Sequence, residues 1–108
     1  MEFPERAARN EEIFREVNER IADGAERHGV ETPLSIHCEC SSRTCLQMIE
    51  IAPPDYERIR GSRYRFVVLP GHEDPTIETV AERHAAFVVV EKQGEARKQI
   101  DRDSDAGS

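Results

Sequence analysis

Cys38, Cys40 and Cys45 are the only cysteines of the chain, and they stand together in Cys38-Glu39-Cys40-Ser41-Ser42-Arg43-Thr44-Cys45. Thiolates are strong ligands for soft and borderline metals, and a C-x-C-x4-C cluster in a polar turn reads as a metal grip. Residues two apart on an extended segment point to the same side, so Cys38 and Cys40 face together. Residues 41–44 let the chain turn and bring Cys45 back to the same point. Three thiolates leave one corner of a tetrahedron to fill. His72, in Pro70-Gly71-His72-Glu73-Asp74, is the expected fourth ligand. It lies in a loop just after a strand, where a rigid scaffold commonly holds functional side chains, and Gly71 permits close backbone approach. The expected metal is Zn²⁺, which a Cys3His set binds with a single net negative charge that water solvates easily.

Other readings of the cluster stay open at this point. The spacing departs from the commoner C-x2-C knuckles. The ferredoxin spacings C-x2-C-x2-C and C-x4-C-x2-C are absent, which places an iron–sulfur cluster below zinc. Buried cysteines also serve as small hydrophobes, but the neighbours here are His, Glu, Ser, Arg and Thr. A Cys40–Cys45 disulfide would require oxidation.

The remaining chemical side chains have plainer readings. His37 adjoins Cys38 and, on a strand, faces the other way, toward solvent. His84 sits in a turn at the surface. His28 lies near a helix C-terminus, where a cation is mildly favourable. Arg58, Arg60, Arg63 and Arg65, interleaved with Tyr64 and Phe66, form a basic cluster. It could contact phosphate or RNA with aromatic stacking, but in so acidic a chain it reads better as a solvated patch with Phe66 in the core. Glu73, Asp74, Glu78 and Glu82 could supply an acid or base; no Ser/His/Asp arrangement or Gly-rich phosphate loop accompanies them, so they are expected to be solvated carboxylates.

The elements that must position these residues follow from periodicity. From Glu5 to His28 the pattern is helical: Phe14, Val17, Ile21 and Ala25 recur at three- and four-residue spacing, with Ile13 widening the stripe. Glu16/Arg20 and Asp23/Arg27 are acid-then-base pairs one turn apart. Gly29 suits a left-handed cap, and Pro33 prevents continuation. Leu34–Cys38 and Leu46–Ile51 read as the two arms of a hairpin whose turn carries the thiols. Pro54–Arg60 is a short helix ended by Gly61. Arg65–Leu69 and Phe87–Glu91 are further strands. Thr76–Arg83 fits a strand or a helix face. Residues 95–108 have one large apolar side chain, Ile100, and are predicted to be a disordered tail. The fold class is α+β: a long N-terminal helix packed on a small antiparallel sheet of about four strands, with a zinc-stabilised hairpin, forming a single domain over residues 1–94.

Composition sets the bounds. Of 108 residues, 37% are hydrophobic and 6% aromatic, with no Trp. A core this small is marginal alone, and a structural metal is a usual support. The net charge of −7 argues against nucleic acid or an anionic membrane as partner. The first residues lack the basic and apolar regions of a signal peptide. A cytoplasmic location is therefore expected, where reduced thiols favour metal over disulfides.

Taken together, Asn10–Arg20, Cys38-Glu39-Cys40 with Cys45, Tyr56-Glu57-Arg58, Phe66-Val67-Val68, Pro70-Gly71-His72-Glu73 and Val88–Lys92 resemble a family of short proteins of actinobacterial type that are described only as hypothetical. The resemblance covers residues of about 10 to 92. It implies a shared fold and a shared Cys/His cluster, and it lends no activity. Pro53-Pro54 stands where a Thr-type cap is more usual in that family.

The functional expectation is a small non-enzymatic zinc-binding protein-interaction module. Its partner is another protein or a second copy, met through the N-terminal helix. Two alternatives stand beside it: a thiol/zinc redox sensor, and a zinc enzyme with an open coordination position, which a bound His72 would exclude.

Overall fold

A computed structural model describes residues 3–27, 29, 32–42 and 45–106, with side chains placed over 12–103 of these. The elements run α1 (Phe3–Arg27), β1 (Leu34–His37), β2 (Met48–Ile51), α2 (Pro53–Arg60), β3 (Arg65–Val68), β4 (Glu78–Arg83), β5 (Val88–Lys92) and α3 (Gly94–Ala106). The class is α+β with a long N-terminal helix, as expected.

Helix α1 gives way at Gly29, whose φ of 65° lies in the left-handed region and whose N–H donates to the Glu26 carbonyl at 3.1 Å. That is the glycine cap read from the sequence; His28 lies outside the described residues. The buried face of α1 matches the apolar stripe only in part: Ile21 and Ala25 pack against the core, but the face is turned away from Ile13 and Val17. Arg15, Asn18 and Ala22 are buried, whereas Ile13 is 60% and Val17 37% exposed. Hydrogen bonding decides the rotation. Arg15 donates to the carbonyls of Arg60 and Arg65, both at 2.6 Å, and lies over the Phe66 ring at 5.0 Å. The Arg60 carbonyl belongs to the last turn of α2, where such groups have no partner within the helix. A buried polar group that satisfies others outranks a methyl-bearing one that merely avoids water.

Strands β1 and β2 form the expected hairpin, antiparallel with Leu34 opposite Ile51 and Ile36 opposite Ile49. Those four side chains face the core, while the alternate pair His37 and Met48 faces outward. The single sheet of about four strands is corrected: there are two sheets, β1-β2 and β3-β5-β4, both antiparallel. Ala52 and the two prolines that open α2 divert the chain between β2 and β3 and end the first ladder. The two sheets still meet, because the Glu39 N–H donates to the Val67 carbonyl at 2.8 Å. The ambiguous stretch settles as strand β4, with a register shift between Val80 and Glu82. Phe66, Val67, Val68 and Val88–Val90 supply the centre of the core.

The predicted disordered tail is also corrected. Residues 94–106 form α3, which packs on α1. Ala96, Gln99 and Ile100 are buried, and Gln99 donates to Asp103 at 2.7 Å. Ala96, Gln99, Ile100 and Asp103 recur at three- and four-residue spacing, so the helical stripe is present but built of small and polar members.

Candidate metal centre

The four predicted ligands come together. Cys38 Sγ, Cys40 Sγ, Cys45 Sγ and a ring nitrogen of His72 all lie within 4.8 Å of one another. His72 Nδ1 is 3.6 Å from Cys38 Sγ and 3.7 Å from Cys45 Sγ. Zn–S bonds near 2.3 Å and Zn–N bonds near 2.0–2.1 Å at tetrahedral angles imply S···N edges of about 3.6 Å. The donor set thus has the size and composition to hold a metal ion.

Local structure explains the convergence. The Cys38 N–H donates to the Gln47 carbonyl at 3.0 Å, carrying the hairpin one residue past β1. Cys45 closes the arm through its N–H to the Ser42 carbonyl at 3.4 Å. On the other side, the His72 N–H donates to the Leu69 carbonyl at 2.9 Å, in a turn that needs Gly71 at a φ of 88°. The Glu73 carboxylate accepts from the Gly71 N–H at 2.8 Å. The Leu69 N–H donates to Cys38 Sγ at 3.2 Å, so the histidine loop is tied directly to a sulfur of the cluster. Cys38 and Cys40 are buried; Cys45 and His72 are half-buried.

The sulfurs share their protons unevenly. Cys38 is pushed well above the usual thiol range, first by its hydrogen bond to Cys40 and then by burial. Cys40 is held down to about 4, chiefly because it accepts that hydrogen bond, with His72 assisting and burial opposing. Closely packed thiols thus resist losing all their protons together, and a cation placed among them would remove that repulsion.

Sequence reasoning missed what holds the arm from behind. Glu39 was read only as a polar neighbour in a turn, yet it is 1% exposed. Its carboxylate accepts from Asn18 Nδ2 at 2.8 Å, Tyr56 Oη at 2.7 Å and the Val67 N–H at 2.9 Å. Burial pushes the carboxyl up, and the bonds from Asn18, Val67 and Tyr56 oppose that shift. Asn18 grips the same arm again: its Oδ1 accepts from the His37 N–H at 2.8 Å and its Nδ2 donates to the His37 carbonyl at 2.9 Å. That pair of bonds caps the free edge of β1 as a neighbouring strand would. Alternation gives no signal for it: Leu34, Ile36, Cys38 and Cys40 form the buried side of the arm, and Glu39 follows His37 on the other side, which is covered only because Asn18 of α1 and Tyr56 of α2 lie against it.

The other candidates are placed as follows. His37 faces away from the cluster and is half-buried, its ring stacked on Phe14 at 6.2 Å. His84 is exposed, 2.8 Å from Glu82 and stacked on Phe87 at 4.4 Å. The basic cluster is used internally: Arg58 pairs with Glu82 at 2.7 Å, Arg60 with Asp23 at 2.8 Å, Arg63 with Asp101 at 2.8 Å and Arg65 with Glu91 at 2.9 Å. Phe66 is in the core, as expected. Glu78 is not the solvated carboxylate anticipated; it is buried and paired with buried Lys92, whose ammonium lies 4.9 Å from the Phe66 ring centroid. No described helix is long and apolar enough to cross a membrane. No family model, curated protein or solved structure matches the chain, so what it does must be read from its own residues.

Proposed function

We propose that this chain is a small zinc protein, non-enzymatic, whose Cys3His centre is structural and whose work is to bind another protein. The reading rests on one observation above the rest: His72 Nδ1 stands 3.6 and 3.7 Å from two of the sulfurs, the edge length of a tetrahedral zinc site. Four protein ligands fill that tetrahedron, whereas catalytic zinc keeps a position for water or substrate. The resemblance to short actinobacterial-type proteins is proposed to reflect a shared fold and a shared centre, and a cytoplasmic location would keep the thiols reduced.

A surface beside the centre supports the interaction role. Met48 lies opposite His37, whose ring stacks on Phe14, and Phe14 adjoins Ile13 and Val17 on α1. Leu46, 81% exposed, and Met48, 44% exposed, sit two apart beside Cys45. Apolar side chains gathered on a rim of polar ones mark interaction sites. Elemental analysis of the purified chain tests the metal: one zinc per chain is expected, falling steeply in Cys40→Ser. A full complement of zinc in Cys40→Ser would overturn the assignment.

Cys45 favours a second reading, since it is the half-exposed sulfur of the three. In a redox sensor, hydrogen peroxide would accept two electrons from two thiolates and two protons from solvent to give two waters, the thiolates would join as a disulfide, and Zn²⁺ would leave. Zinc release at low peroxide, reversed by dithiol reductant, would favour this reading over a purely structural centre.

A further inference from the structure

Further along α1 than Val17, Ala22 and Ala25 present small side chains, and a groove of about 450 Å³ opens beside them. Its floor is apolar: Ala22 and Ala25 of α1, Leu34 at the start of β1, and Pro53 and Pro54 at the start of α2. That volume falls within the range of small-ligand and side-chain pockets, roughly 300–1,000 Å³. Helix α2 begins with two prolines and its N-cap Ala52 makes no side-chain bond. Proline has no N–H, so this helix start offers little to an anion.

The rim carries the opposite preference. Glu26 and Glu57 line the groove, and with Asp23 they bring carboxylate oxygens within 4.8 Å of one another. Arg60 bonds Asp23 at 2.8 Å and also bonds Glu57. One guanidinium against three carboxylates leaves the mouth negative, on a chain whose net charge is −7. Such a field attracts cationic partners and speeds their encounter. A second copy of the chain would bring the same acidic rim and be repelled. A bare cation would use the rim and leave the apolar floor uncovered.

We infer that the groove docks a segment of a partner protein that carries an aliphatic side chain flanked by Lys or Arg. The aliphatic side chain covers Ala22, Ala25, Leu34 and the prolines. The flanking cation meets Glu26 and Glu57. The groove shares no residue with the Cys/His cluster, although Leu34 begins the strand that leads to it.

The test uses the full chain with its zinc content measured in every variant. Three fluorescein-labelled hexapeptides serve as probes: alternating Leu and Lys, alternating Leu and Glu, and alternating Ser and Lys. Fluorescence anisotropy should show the Leu/Lys peptide binding, with both controls weaker by about tenfold or more. Raising NaCl from about 0.05 to 0.5 M should weaken it further. Ala25→Arg, which fills the floor and adds a competing cation, should abolish binding with zinc content and circular dichroism unchanged. If that variant fails to fold, Glu26→Gln/Glu57→Gln at two exposed positions decides, with a loss of about threefold to tenfold expected. Equal binding of the Ser/Lys peptide would show surface charge alone and overturn the proposal. So would undiminished binding to the folded variant, or no binding of the Leu/Lys peptide. Dimerisation of the chain abolished by Ala25→Arg would give the groove to a second copy and also overturn it.

Discussion

His72 turns Nδ1, the nitrogen nearer its backbone, toward the sulfurs. That choice keeps the 69–72 turn close to the cysteine arm and, with a metal bound, leaves the ring proton on Nε2. His72→Ala should lower zinc affinity by roughly a hundredfold or more, the scale on which metal sites respond to lost partners. His37→Ala and His84→Ala should change it little, because one ring stacks on Phe14 and the other pairs with Glu82. Competition with a chromogenic chelator measures all three, and equal affinities would remove His72 from the ligand set. Behind the ligands, Glu39 accepts from three donors. In Glu39→Gln the amide nitrogen must stand where either the Val67 N–H or Asn18 Nδ2 now donates. One buried donor then loses its acceptor, at a cost of about 1–3 kcal/mol. Denaturant unfolding of the zinc-loaded variant reads this directly; stability equal to the parent would mean the network contributes nothing. The gathering of three thiols and an imidazole was legible in the sequence because these side chains at that spacing have few other uses. Glu39 was not, since a glutamate in a polar-looking turn declares its burial only once Asn18, Tyr56 and β3 close over it.

At the scale of elements, α3 and the rotation of α1 carry the lesson. Ile100 is 2% exposed within α3, so Ile100→Ala should cost about 2–4 kcal/mol. A midpoint unchanged in urea would return residues 94–106 to a solvated tail. Helix α3 packs on α1 and leaves Ile13 and Val17 as its outward apolar edge. Val17→Asp is therefore expected to leave the melting temperature within a few degrees of the parent, because exposed substitutions usually stay within about 0.5 kcal/mol. Strand β4 supplies a pH test. Arg58 and then His84, by hydrogen bonds, hold Glu82 down to about 2 from an ordinary 4.5. A depressed carboxylate contributes stability above its unfolded value and loses it as pH falls through the folded one. The melting temperature of Glu82→Gln should lie below that of the parent above pH 4.5, and the gap should close toward pH 2. A gap that persists at pH 2 would assign the effect to packing. Solvent screening on this surface keeps the gap small.

For the molecule as a whole, a metal held by the Cys/His cluster would decide how the cysteine arm and the histidine loop hold together. Structural zinc contributes on the order of 10 kcal/mol in small peptides, comparable with the whole stability of a domain, about 5–15 kcal/mol. The second sheet has its own packed valines. Chelation should therefore raise hydrogen exchange most in residues 34–51 and 69–74, with β3 and β5 protected longest; a uniform rise, or none, would contradict a structural centre. What the sequence determined by itself was local. Periodicities of two and of three to four marked most elements, glycine and proline marked where they stop, and cysteine and histidine marked the site, because each signal lies within a few residues of chain. The tertiary structure alone decided which face of α1 is buried, that the strands divide into two sheets, that residues 94–106 fold, and that Glu39, Glu78 and Lys92 lie inside. Those outcomes depend on partners distant in sequence. Arg15 is buried because the carbonyls of Arg60 and Arg65 need its guanidinium, and nothing near Arg15 in the chain says so.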